Sequence, residues 1–143
     1  MNVSQLSIFL ENKPGHLEHI LQILSENTIN IRTLTIAELS DFGIVRMIVN
    51  KPAEAKDALK KNMVTCSLTE VLAIAIPDSP GSLLTVVDHI RKNQINIEYM
   101  YAFPEKRGGS AVMIFRFEDI EKAKALLLEK GFTILANKDV TGE

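Results

Sequence analysis

The sequence predicts an α+β chain made of two similar halves, each ordered β-α-β-β-α-β, with two helices on one face of an antiparallel sheet. Three observations predict it. The chain repeats itself at a spacing of 66 residues. Each half carries an apolar stripe at helical spacing directly behind a Pro-Gly turn. Short apolar runs divided by turn signals supply the strands.

The repeat is read first. Sliding the sequence by 66 places Pro14-Gly15 on Pro80-Gly81, Leu17 on Leu83, Asn27 on Asn93 and Ile29-Asn30-Ile31 on Ile95-Asn96-Ile97. Seven of the eighteen positions from 14 to 31 are identical, where roughly one would match by chance. The same offset brings Gly43 onto Gly109 and Met47-Ile48 onto Met113-Ile114. Ala55-Lys56 and Leu59 match Ala123-Lys124 and Leu127 at an offset of 68. The second half therefore holds two extra residues. They are expected between its third strand and second helix, with the hairpin before Gly109 as the alternative. The domains are expected at 1–68 and 69–143.

Each element follows in order. Gln5–Leu10 and Val71–Ile76 are opening strands. After each Pro-Gly turn comes a helix with its apolar face at Leu17, Ile20, Leu21 and Leu24, or at Leu83, Val86, Val87 and Ile90. Asn30-Ile31 and Asn96-Ile97 open second strands reaching about Leu39 and Phe103. Asp41-Phe42-Gly43 and Lys106-Arg107-Gly108-Gly109 are hairpin turns. Third strands are expected over Ile44–Val49 and Ala111–Phe117, and second helices over Ala53–Lys60 and Ile120–Glu129, the latter with Gly131 at C′. Short last strands are expected near Val64–Ser67 and Thr133–Ala136. This element order is ferredoxin-like. A unit of about 70 residues buries little surface alone, and Val71–Ile76 lacks polar alternation. The two halves are therefore expected to pack on each other, or on a second chain, through their sheets.

Composition narrows the function classes. The 143 residues, 46% hydrophobic and 24% charged, are those of a globular chain. Sixteen Lys and Arg against eighteen Asp and Glu give a net charge of -2, so no basic field attracts nucleic acid or an anionic membrane. The start Met1-Asn2-Val3-Ser4-Gln5 has no signal-peptide pattern, and the longest clean apolar run, Val71–Ile76, is too short to span a bilayer. A soluble, cytoplasmic chain is expected. Cys66, the single cysteine, has no intramolecular disulfide partner and no nearby His, so it reads as a buried structural thiol.

Chemistry concentrates at the repeated turn, Glu11-Asn12-Lys13-Pro14-Gly15-His16-Leu17 and Pro77-Asp78-Ser79-Pro80-Gly81-Ser82-Leu83. Glycine admits close backbone approach. The helix behind it presents unpaired N–H groups and a positive dipole end, which suit a carboxylate or phosphate. Asn12 and Asp78 either cap the turn or hold an ammonium, and Asn30 and Asn96 offer both donor and acceptor. A small zwitterion such as a free amino acid matches this set. Equally, Pro-Gly is ordinary turn chemistry, and a duplicated fold duplicates its turns.

An apolar strand, Asn-x-Pro-Gly-x-Leu, an amphipathic helix and Asn-Ile resemble an ACT domain. Asp-Ser-Pro-Gly-Ser-Leu with Asn96-Ile97 resembles a second one, so the resemblance spans Gln5 to about Val140. The first copy, with Asn30-Ile31-Arg32-Thr33-Leu34-Thr35, is especially similar to the ACT domain of acetolactate synthase regulatory subunits. The resemblance implies a non-catalytic, allosteric regulatory module that binds a free amino acid at an interface between domains, in amino-acid metabolism. It implies contacts from Asn12, Pro14, Gly15, His16, Leu17, Asn30 and Ile31, and from Asp78, Pro80, Gly81, Ser82, Leu83, Asn96 and Ile97. The copies differ at Asn12/Asp78, Lys13/Ser79 and His16/Ser82, so two sites need not bind equally. A homodimer, an enzyme partner and no cofactor are expected. The alternative is a standalone docking subunit of a metabolic enzyme of acetolactate synthase type, without a ligand response.

Other chemistries find little support. His16 and His19 share a helix face, but no Cys/His cluster completes a metal site. No nucleophile motif accompanies the three histidines, and His89 reads as surface. No nucleotide-binding glycine motif occurs. Arg107-Gly108-Gly109 begins like the third strand of an RNA-recognition module, yet Gly109, Ala111 and Ile114 stand where its aromatics belong. No catalytic residue is expected.

Overall fold

Helices here start and stop for reasons visible in the backbone. A computed structural model describes residues 2–142 and divides the chain into two units. The N-terminal unit is Ser4–Thr69 with residues 141–142, and the C-terminal unit is Glu70–Val140 with Asn2 and Val3.

In the N-terminal unit, β1 (Val3–Glu11) leads through the Pro-Gly turn into α1 (His16–Glu26). Then follow β2 (Ile31–Glu38), β3 (Phe42–Val49), α2 (Pro52–Lys61) and the start of β4 (Cys66–Pro77). The order is β2-β3-β1, antiparallel throughout, and Thr65 just ahead of β4 accepts a bond from Phe9 N–H at 2.9 Å. Ile20, Ile23 and Leu24 of α1 and Ala55, Ala58 and Leu59 of α2 close over Leu6, Ile8, Val45 and Met47 of the sheet. Pro52 opens α2 where a missing N–H costs nothing.

In the C-terminal unit the remainder of β4 is followed by α3 (Ser82–Lys92), β5 (Ile97–Arg107), β6 (Ser110–Phe117), α4 (Ile120–Glu129), β7 (Thr133–Ile134) and α5 (Asn137–Thr141). The order is β7-β4-β6-β5, again antiparallel. Val86, Ile90, Ala123 and Leu127 pack on Leu72, Ile74, Phe115 and Phe117, the two phenylalanine rings stacked at 5.4 Å. Over Val71–Ile74, β4 is buried on both faces, with Val71 and Ala73 as inaccessible as Leu72 and Ile74, as its unalternating sequence predicts.

All four long helices end alike. Ile29 N–H bonds back to Leu24, Val64 to Leu59, Ile95 to Ile90 and Phe132 to Leu127, the six-to-one bond of a Schellman ending. Thr28, Met63, Gln94 and Gly131 hold the positive φ this requires, and only Gly131 does so without a Cβ. Asn27 and Asn93 return their amides to the carbonyls of Ile23 and His89 at 2.8 and 2.9 Å. The repeated Asn-x-Ile is thus a helix terminator.

Four expectations need correction. The strands expected at Val64–Ser67 and Val71–Ile76 are joined in one strand, β4, because Leu68-Thr69-Glu70 contains no turn residue. Phe42 and Gly43 belong to β3 and not to the turn. α5 has no counterpart in the repeat pattern. Finally, the two extra residues lie not between third strand and second helix but at the alternative place, in the hairpin arm ahead of Gly109. Leu6 pairs with Met47, and Leu72 with Phe115, so the second copy is already displaced by 68 along its third strand. The addition is a bulge in β5, where Pro104, Glu105 and Lys106 lie between the pairs Phe103/Val112 and Arg107/Ser110. Proline is tolerated there, on an edge strand at a bulge.

Candidate functional site

The two Pro-Gly loops are built to one plan. Lys13 N–H bonds Glu11 C=O, and Ser79 N–H bonds Pro77 C=O, each at 2.9 Å. Then Lys13-Pro14-Gly15-His16 and Ser79-Pro80-Gly81-Ser82 form type II turns, closed by 3.4 and 3.2 Å bonds with Gly15 at φ 90 and Gly81 at φ 85. Proline presets the second position and only glycine is relaxed at the third. The glycine carbonyl takes the first helical bond, from His19 or Thr85, and no side chain caps either helix. Its leading N–H groups are therefore left to other partners.

Both loops are tied to the neighbouring hairpin. Asn12 N–H bonds Asp41 C=O at 3.0 Å, and Asp78 N–H bonds Gly109 C=O at 3.3 Å. The side chains complete the tie differently: Asn12 Nδ2 donates to Ser40 C=O at 3.2 Å, whereas the Asp78 carboxylate pairs with Lys106 of the β5 bulge. Hydrogen bonding to Lys106 holds the Asp78 carboxyl below the usual carboxylate range. In the first loop Lys13 pairs with Glu11 at 2.8 Å and lowers the Glu11 carboxyl in the same way. Both pairs are solvent-exposed and contribute little to stability. Glu11 N–H also donates to His16 Nδ1 at 2.6 Å.

Beside the first loop lies a cavity of about 300 Å³. Glu11, Asn12 and Lys13 of the loop, Leu10 of β1 and Leu17 of α1 form one side. Ile36 and Glu38 of β2 with Phe42 and Gly43 of β3 form the other. Gly43 lets the strands close: a Cβ there would stand 2.7 Å from the Ala37 carbonyl oxygen.

The residues expected at the site are partly gathered. Asn12 and Leu17 line this cavity. Pro14 and Gly15 shape the turn, and His16 braces the loop through Glu11. Asn30 and Ile31 lie at the far end of α1, about 16 Å along an eleven-residue helix. There they line a separate recess of about 410 Å³ with Leu21 and Thr28. Asn30 is tied to Asn50 on both sides, its N–H to Asn50 Oδ1 at 2.9 Å and its C=O to Asn50 N–H at 3.1 Å. The second copy repeats this arrangement: Asn96 and Ile97 line a recess of about 430 Å³ at the end of α3, and Asn96 C=O accepts from Glu118 N–H. Pro80, Gly81 and Ser82 form their turn, with Ser82 Oγ 2.8 Å from Ser79 Oγ, and Leu83 is exposed.

Sequence reasoning missed Ile36, Glu38, Phe42 and Gly43. Ile36 and Glu38 alternate on one face of β2, a period-two signal, but what they face depends on pairing. His89, read as surface, is half-buried with Nε2 3.2 Å from Leu126 C=O. Arg107 donates to Asp139 C=O of α5. Among the described residues, no group of three or more His, Cys, Asp or Glu is placed to hold a metal, and no helix is long and apolar enough to cross a membrane.

Two ferredoxin-like units, each with a Pro-Gly turn feeding an uncapped helix, define a tandem ACT protein. The chain belongs to the ACT domain pair family, which matches it over residues 1–142. It is similar to protein BT0572 from Bacteroides thetaiotaomicron, with 39% identity, a TM-score of 0.91 and coverage of 98% of this chain and 96% of that one. The regulatory subunit of aspartate kinase from Thermus thermophilus shares the fold at 16% identity and TM-score 0.65, with 90% of each chain covered. Its counterpart from Thermus flavus does so at 15% and 0.64, again with 90% of each covered. No curated protein matches the chain in sequence.

Proposed function

We propose that this chain is a non-catalytic regulatory module that binds a free amino acid beside its Pro-Gly loop and modulates a partner protein in amino-acid metabolism. The cavity of about 300 Å³ at the first loop carries this reading. It combines a cation and carboxylates with apolar walls beside the uncapped start of α1, the set a zwitterion needs. Membership of the ACT domain pair family supports it, as do the regulatory aspartate kinase subunits that share the fold. A ligand that prefers one arrangement of the protein shifts the population toward it, and that shift is the signal passed to the partner.

A thermal-shift panel of the twenty amino acids tests this. Ligand at a hundredfold excess over Kd adds about 2.7 kcal/mol, which raises Tm by about 5–10 °C for a chain of this length. Flat melting curves at millimolar ligand overturn the reading. They would favour the second one, a docking subunit on an enzyme such as acetolactate synthase with no ligand response. Leu34, Ile36 and Leu39, exposed along and just past the edge strand β2, support that alternative. Its signature is a stable complex with the enzyme that amino acids leave unchanged.

A further inference from the structure

We infer that the chain takes one ligand rather than two, in the N-terminal unit, and that this ligand is an α-amino acid with an apolar side chain. The inference rests on the amino-acid-binding reading above and narrows it to one site and one ligand class.

Strand register sets the comparison between copies. Positions before the hairpin correspond at 66 and positions after it at 68, since Ile36 pairs with Val45 as Ala102 pairs with Met113. On that alignment several groups of the first cavity change in the second copy, while Leu10 and Leu17 keep apolar counterparts in Ile76 and Leu83. Glu11 becomes Pro77, and Lys13 becomes Ser79. The apolar walls Ile36 and Phe42 become Ala102 and Ser110. The place of Glu38 is taken by the bulge Pro104–Lys106, whose lysine neutralises Asp78. The second loop keeps its turn, its tie to the hairpin, Leu83 and an exposed ion pair, and loses the apolar walls Ile36 and Phe42 and the carboxylate of Glu38.

The first cavity can satisfy each part of an amino acid. The N-terminus of α1 and Lys13 suit the carboxylate. Lys13 is held only by an exposed pair with Glu11, which an incoming carboxylate can displace. Glu38, which has no partner among the described residues, suits the ammonium. Leu17, Ile36 and Phe42 remain for the side chain. At about 30 Å³ per water-sized group, the volume accepts about ten heavy atoms. An acidic side chain would bring a second anion toward Glu11 and Glu38, and loses about tenfold or more in affinity.

Calorimetric titration of the full chain with L-leucine, L-phenylalanine, L-aspartate and L-lysine tests this. The expected result is one site per chain, with L-leucine or L-phenylalanine binding at least about tenfold tighter than L-aspartate, and tighter than L-lysine, whose side-chain ammonium would lie against Leu17, Ile36 and Phe42. Glu38→Gln should weaken that binding about tenfold or more while leaving the ligand-free Tm in place, because Glu38 is exposed and unpaired among the described residues. Lys106→Met, in the other copy, should leave affinity unchanged. Two sites per chain, tighter binding of L-aspartate or L-lysine, or loss of binding in Lys106→Met overturns the inference. If a charged amino acid binds in a Glu38-dependent way, the regulatory reading survives and only the ligand class fails. If none of the twenty binds, both fall.

Discussion

Replacing Gly43 with alanine should destabilise the protein, while the same change at Gly109 should not. The sequence alone aligns these two glycines, since both follow the second strand of their copy at an offset of 66. Strand register separates them and pairs Gly43 with Leu10, as Ala111 pairs with Ile76. A Cβ on Gly43 would lie 2.7 Å from the Ala37 carbonyl oxygen and 3.3 Å from the Glu38 Cα. Both are backbone atoms, which cannot swing aside. An ordinary C···O contact begins near about 3.3 Å, so β2 must retreat by about 0.6 Å against its ladder. Overpacking of that kind costs about 1–3 kcal/mol, or about 2–12 °C in Tm. Gly109 has no atom within 4 Å of its would-be Cβ and no positive φ. Alanine there should be neutral or stabilise by up to about 1 kcal/mol through the unfolded chain. Urea denaturation followed by circular dichroism reads both, as a shift of midpoint at constant slope. Equal midpoints for the two variants, or a Gly43→Ala protein as stable as the parent, would refute the reasoning. Because Ile36 and Glu38 stand on the strand that moves, Gly43→Ala should also weaken ligand binding.

Other outcomes are expected. Leu24→Ala removes a fully buried side chain from the α1 face and should cost about 2–5 kcal/mol in urea denaturation, whereas Leu84→Ala, at 70% exposure, should stay within about 0.5. Lys106→Met should raise the Asp78 carboxyl toward its ordinary value, seen in an NMR pH titration of that side chain. The folded group titrates below its unfolded value, so the pair's stabilisation is present above the ordinary Asp range. It is lost as pH falls through the depressed value, and the variant should show a shallower loss on the acid side. Burial pushes the Cys66 thiol up, with Sγ 3.9 Å from Lys56 C=O, so Ellman's reagent at pH 7.5 should react about tenfold or more slowly with folded than with unfolded protein.

Local signals carried most of the fold. The helices could be read because their apolar positions and their Pro-Gly entry lie within a dozen residues, while the Asn-x-Ile endings went unread. The turn beside the cavity, Asn12 to Leu17, was legible for the same reason. The far wall was not, because Ile36 and Phe42 come into place only through strand pairing. Gly43 misled in particular: glycine after Asp41 reads as turn chemistry, yet it serves the approach of two strands. The identity of Asn30 and Asn96 drew them into the site, while their repeated work is to join strand ends to Asn50 and Glu118. The two-residue addition was placed at the hairpin only as the alternative, because the Gly43/Gly109 and Met-Ile matches are coincidental, and only register exposes a coincidence.

The size of that addition has a meaning of its own. Two is the smallest number of residues that lengthens one arm of a ladder and lets every later side chain resume its face. Arg107 returns opposite Ser110, and Phe115 and Phe117 keep pointing into the core. Parity therefore keeps the second core in register beside the bulge that brings Lys106 to Asp78. A twin unit can acquire a new clasp at its hairpin in one step, with its interior untouched, whenever the step is even.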